Sequence, residues 1–137
     1  MGTLVQAIAA LQDLTGALTG VREAPDYPPG AIGVTPVFIA VPGSGEYTGL
    51  NQTLAKNRHV IALQLWVSRN DLARDVKELA PYIDTVSNML LKNVTLTNTV
   101  ETIVMPITYS VGPRESGGIQ YLVCEWQITV KQENAVT

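Results

Sequence analysis

The chain has 137 residues, 46% of them hydrophobic and only 15% charged, with a formal net charge of −3. That length fits one domain that needs no disulfide or metal to bury a core, and a charged fraction below the roughly one quarter usual for soluble domains leans towards a subunit of an assembly. The basic residues are scattered, which argues against a high-affinity nucleic-acid surface; no run approaches the ~18 apolar residues of a membrane span, and Cys124 has no second cysteine to pair with.

The first residues, MGTLVQAIAALQDLTGAL, lack the basic n-region of a secretory signal, and Gln6, Gln12 and Asp13 interrupt their apolar positions, so they read as part of the fold. Thr3 and Gln6 have the spacing of a capping box, and Leu4, Ile8, Leu11, Leu14 and Leu18 continue along one face, which predicts a helix over about 4–19. From Val21 to Pro36 the proline-rich run EAPDYPPGAIGVTP rules out a central strand or helix and predicts an extended connector, with a short edge strand at Val21–Ala24. Val37–Val41 reads as a short β-branched strand ended by Pro42-Gly43. Residues 43–58, GSGEYTGLNQTLAKNR, show no period and contain three glycines, which predicts a flexible loop.

His59–Val67 alternates cleanly and is expected to pair with Val37–Val41 as a hairpin. After it, Leu72, Val76, Leu79, Ile83, Val86 and Leu90 recur at helical spacing, with Ser68 as the expected N-cap. Pro81 falls inside that pattern, and its missing N–H predicts a break or kink, with the longer piece over about 81–92. Val94–Val111 is β-prone, GPRESGG is a turn, and Ile119–Lys131 returns as the longest strand, followed by a polar tail over 132–137 expected to fray. The order α-β-β-α-β-β predicts a single α+β domain: a two-layer sandwich of two main helices on a mostly antiparallel four-stranded sheet.

Residues able to carry chemistry are few. His59 and Cys124 are the only candidates for a Cys-His nucleophile or a His/Cys metal site, and a strand-terminal His and a small buried Cys are more often structural. Asp71, Asp75 and Glu78 alternate with Arg74 and Lys77 as in a solvated helix face, and Gly43-Ser44-Gly45 is followed by neither the Gly-Lys-Ser/Thr of a phosphate loop nor a helix. The expectation is a protein that is not an enzyme, with no catalytic set, no cofactor and no metal. Trp126 is in phase with the core, whereas Trp66 is out of phase with Ile61, Leu63 and Leu65, which puts it on the face away from the helices, either as an exposed interface residue or partly buried under the loop. Tyr121 shares that outer phase, and Arg69 and Arg74 are candidates for ion pairs between subunits. A sheet with apolar residues on both faces calls for a partner.

The segment HVIALQLWVSRNDLARDVKELAPYIDTVSNMLL, followed by ITYSVGPRESGGIQYLVCEWQITVKQ, resembles the tail terminator, or tail completion, proteins of long-tailed bacteriophages. In those proteins a small α/β subunit forms a hexameric ring that closes the head-proximal end of the tail tube. The likeness spans about 35–131, and the N-terminal helix and the connector DYPPGAI are compatible with it. It implies a virion protein whose partners are further copies of itself, the tail tube protein and the head–tail connector, with DNA passing through the lumen unread and no membrane contact. Trp66, Arg69, Arg74 and Tyr121 are then expected at subunit contacts, and Glu46, Tyr47, Leu50, Lys56 and Arg58 in the loop that docks on the tube or connector. The net negative charge suits a channel to which DNA does not adhere. Other neck or head-completion proteins share parts of this layout and form the nearest alternative; a small enzyme using His59 is the alternative from another class.

Overall fold

The computed structural model describes residues 2–18 and 35–135. The connector before Thr35, with the edge strand expected at Val21–Ala24, and the last two residues of the polar tail lie outside the described residues. The elements are α1 (Leu4–Gly16), β1 (Val37–Gly49), β2 (Leu54–Ser68), α2 (Leu72–Lys92), β3 (Thr102–Ser116) and β4 (Ile119–Ala135). The four strands form one antiparallel sheet in the order β1-β2-β4-β3, so the two hairpins join through β2 and β4. This is the α+β sandwich that the alternation of periods predicts.

Both helices lie on one face of the sheet, which we call the front. Phe38, Ile61, Leu63, Leu65, Trp126 and Ile128 bury there against Ala7 and Leu11 of α1 and Leu79, Val86 and Leu90 of α2. α1 starts where the capping box places it: the Gln6 amide donates to Thr3 Oγ1 at 3.3 Å and the Thr3 amide to Gln6 Oε1 at 2.9 Å. Gln12, a polar interruption in the sequence pattern, is 0% exposed. Its Nε2 donates to the Phe38 carbonyl at 2.8 Å and its Oε1 accepts from the Ala40 amide. Backbone groups two residues apart on a strand point to the same side, and β2 occupies the other side of β1, so Gln12 occupies β1's outer edge as a neighbouring strand would.

Four expectations are corrected. Residues 43–58 are not a loop: β1 runs on through a bulge between Pro42 and Ser44, and β2 begins at Leu54, leaving a tight turn in which Asn51 Oδ1 accepts from the Thr53 and Leu54 amides. The polar tail does not fray at 132–135, because Gln132–Ala135 pair with Leu54–Asn57. The helix cap is Asp71, not Ser68, because β2 extends to Ser68; Asp71 Oδ1 accepts from the Ala73 amide at 3.2 Å, and buried Asp75 accepts from the Asn70 and Asp71 amides. α2 continues unbroken through Pro81, since Leu79 on one side and Val86 and Leu90 on the other are held on the same sheet.

The β-prone stretch from Val94 also begins differently. Leu96, Thr97 and Asn98 have φ of 45°, 57° and 63°, a left-handed turn costing about 1–2 kcal/mol per residue. The burial of the Leu96 side chain and hydrogen bonds from the Thr99 and Val100 amides to the Thr95 carbonyl offset that cost. β3 therefore starts only at Thr102.

Candidate functional site

The register of β1, β2 and β4 carries the sheet beyond the end of β3 as a three-stranded extension, with the β1–β2 turn at its tip. Gly45, His59 and Val130 stand in one cross-strand row on the front face, which Ile103 of β3 completes. Tyr47, Asn57 and Gln132 form the next row, the first of the extension, whose inward positions are polar. Gln132 is 0% exposed and donates from Nε2 to the Thr99 carbonyl at 2.9 Å, which ties the extension to the left-handed turn. The His59 ring lies over Gly45, where a Cβ would come within 2.7 Å of Nδ1. Tyr47 covers the ring edge-on, with centroids 5.3 Å apart. Burial lowers the His59 pKa from its ordinary 6.5, so the imidazole is neutral at pH 7.

Of the residues expected to dock, Tyr47, Leu50 and Lys56 are on this extension, and Glu46 and Arg58 are in the row leading into it, where Lys131 still pairs with Thr102 of β3. Glu46, Leu50, Lys56 and Arg58 line one cavity of about 280 Å³, together with Thr48, Glu101 and Lys131. Tyr47 belongs to the opposite face with His59 and is 70% exposed. Leu50 and Leu54 are exposed at the tip.

The four residues expected at subunit contacts divide into two pairs. Trp66 and Tyr121 come together on the back face, as their phase requires, with rings edge-on and centroids 5.5 Å apart. Neither is exposed: Trp66, 9% exposed, packs among sheet residues and not under the loop expected at 43–58, and Tyr121 is buried with Val37, Ile39 and Val123. The Trp66 indole N–H donates to Gln64 Oε1 at 3.1 Å, Gln64 Nε2 donates to Glu125 Oε1, and Arg114 pairs with Glu125 Oε2 at 2.9 Å, so the indole N–H is satisfied inside the chain. Arg69 and Arg74 are exposed near the start of α2 and form no ion pair among the described residues.

A second exposed surface went unread in the sequence. The front face of β3 carries Tyr109 opposite Trp126 and Val111 opposite Cys124, yet Tyr109 is 54% exposed and Val111 is exposed too. The helices make their main contacts with β1, β2 and β4, away from this strip. The alternation of Tyr109 and Val111 is legible in the sequence; their exposure is not.

His59 and Cys124 do not meet. Their partners on the adjacent strand, Val130 and Leu65, place them six residues apart along the sheet, about 20 Å at strand rise. Burial pushes the Cys124 thiol up to about 12, far from a reactive thiolate. Among the described residues no group of three or more His, Cys, Asp or Glu side chains is placed to hold a metal, and no helix is long and apolar enough to cross a membrane. Comparison of the sequence with protein-family models and with curated proteins finds no match.

Proposed function

We propose that this chain is a structural subunit of a long-tailed bacteriophage, a tail terminator that forms a homo-oligomeric ring at the head-proximal end of the tail tube. In that role it ends tube growth, takes the tail tube protein as one partner and offers the joint to the head–tail connector. The resemblance in sequence supplies the family and the hexameric ring.

The observation that carries the reading is the placement of two dissimilar apolar surfaces towards opposite edges of one sheet. Tyr47, Leu50 and Leu54 stand on the β1–β2 extension, and Tyr109 and Val111 on β3, at the other end of the strand order. A contact between unlike patches is heterologous, and a heterologous contact that closes makes a ring. A two-fold dimer would need one self-complementary patch instead. Exposed aromatic and aliphatic side chains on a chain with so few charges are poor for a lone soluble subunit and suit interface cores.

The test mixes purified protein with polymerising tail tubes and follows tube length by electron microscopy and mass by light scattering. The reading expects one cap per tube, at its growing end, a halt to elongation, and loss of both with Tyr109→Glu, which alters an exposed side chain. Unchanged tube growth, with the protein remaining at 14.8 kDa in the mixture, would overturn it.

A further inference from the structure

The outer edge of β1 is closed along one part of its length and open along the next. Gln12 bonds the outward groups of Phe38 and Ala40, and the closure ends there. The bulge between Pro42 and Ser44 adds one residue to β1, so beyond it the outward positions change from even to odd numbers. Ser44, Glu46 and Thr48 turn their backbone groups to β2, whereas Gly45, Tyr47 and Gly49 turn theirs away. The outward groups meet no hydrogen-bond partner among the described residues, and the strand is exposed from Pro42 to Gly49.

The side chains along this edge favour the approach of another backbone. Gly45 is required by the fold, since a Cβ there would strike His59, but a Cβ at Gly49 would meet nothing within 4 Å. A strand glycine costs stability, and one that neither packing nor a positive φ requires suits a close main-chain contact. Tyr47, between the two glycines, is 70% exposed and offers its ring to a side chain on a neighbouring strand. An N–H and a C=O recur at alternate residues, about 7 Å apart, a pattern that an extended polypeptide complements and a small ligand does not. A second copy has no matching strand to lend. Pro106 and Pro113 interrupt the outer edge of β3, and the stretch of β4 beyond β3, Gln132–Ala135, is shorter than Gly45–Gly49.

We propose that Gly45–Gly49 is a strand-addition site, at which the tail tube protein contributes a short extended segment to the outer edge of β1. The inference rests on the docking role proposed above and names its chemistry. The bulge at one end and the turn held by Asn51 at the other limit the added strand to the length of this stretch.

Amide hydrogen exchange is read residue by residue in the free protein, with the blocked peptide acetyl-Thr-Val-Thr-Val-Thr-amide at millimolar concentration, and on tail tubes. In the free protein Glu46 and Thr48 are expected to be protected and Gly45, Tyr47 and Gly49 to exchange fast; tubes are expected to slow the outward three by about tenfold or more. Tyr47→Pro removes an outward donor and no bond to β2, and is expected to bind tubes about tenfold more weakly than Tyr47→Ala, which keeps the donor. Slow exchange of Gly45 and Tyr47 in the free protein would overturn the site, as would a folded Tyr47→Pro variant that binds tubes as well as Tyr47→Ala. If Tyr47→Pro does not fold, exchange in the wild type decides. The peptide separates the two proposals: protection by peptide without tube binding refutes docking and leaves the site standing. Tube binding that leaves the three amides fast refutes the site and leaves docking standing, and neither tube binding nor protection by peptide refutes both.

Discussion

Replacing Gln12 tests whether a single side chain holds the outer edge of β1 closed. Its amide is fully buried and satisfies two backbone groups, the Phe38 carbonyl and the Ala40 amide. A buried backbone group left without a partner costs about 1–3 kcal/mol, so Gln12→Met, which keeps most of the volume and removes both bonds, is expected to lose roughly 3 kcal/mol. With an unfolding entropy near 2.1 cal/mol/K per residue, that corresponds to a fall of about 10 °C in the midpoint. Gln12→Glu separates the two bonds: the carboxylate still accepts from Ala40 but repels the Phe38 carbonyl, so its stability should recover as the pH falls and the side chain regains a proton to donate. The measurement is urea unfolding at fixed protein concentration across pH. A Gln12→Met protein as stable as wild type would refute the reasoning, because it would show that Gln12 contributes volume and not hydrogen bonds.

The cover over His59 makes two further predictions, and the buried Cys124 a third. Gly45→Ala places a methyl 2.7 Å from His59 Nδ1 and 2.9 Å from the Arg58 carbonyl, and should cost about 1–3 kcal/mol by overpacking; a neutral result in denaturant unfolding would show that the ring is free to move. Because burial holds the folded His59 pKa below 6.5, the unfolded chain binds the proton more readily, so stability present at pH 7 falls as the pH drops through 6.5 and levels off below the folded value. His59→Gln should remove that part of the pH dependence, and an unaltered pH profile would contradict the assignment. Cys124, with its thiol raised to about 12, should be labelled by a maleimide only at the rate of unfolding; fast labelling of the native protein would show that the front-face core opens locally.

What the sequence reveals and what it hides follow from which way polar residues point. Ile61, Leu63, Leu65 and Val67 alternate with the hydrophobic pattern of a half-buried strand, and the helical spacing from Leu72 to Leu90 is equally plain. Residues 43–58 look like a loop in sequence because the inward positions of this end of the sheet are Asn57, His59 and Gln132, so period-two alternation is present but not between apolar and polar residues. Gln12 was hidden in the same way, as a polar residue in an apolar stripe whose partner is backbone. Pro81 misled in the opposite sense: a local rule predicted a break, and packing on both sides of it prevailed. Of the candidate site, the residue identities at 46–58 were legible, while their gathering around one cavity required the register with β4.

The two sheet edges are guarded by different means, and the second guard can be removed. β1 is closed at Phe38–Ala40 by Gln12, whereas β3 is broken by Pro106 within the irregular pairing between Val104 and Thr108, and again by Pro113 opposite Leu122. Proline has no N–H, and on an edge strand that missing donor faces outwards, which denies a template to another chain. In the proposed ring, copies with their edges guarded in this way would meet through side chains and not by adding strand to strand without limit. Pro113→Val returns a donor and a β-branched residue to an edge already carrying Tyr109 and Val111. It is expected to leave the fold intact and to raise concentration-dependent scattering into large, open-ended species. Scattering no greater than that of wild type would mean that the exposed face of β3, and not its edge, decides how this subunit meets others.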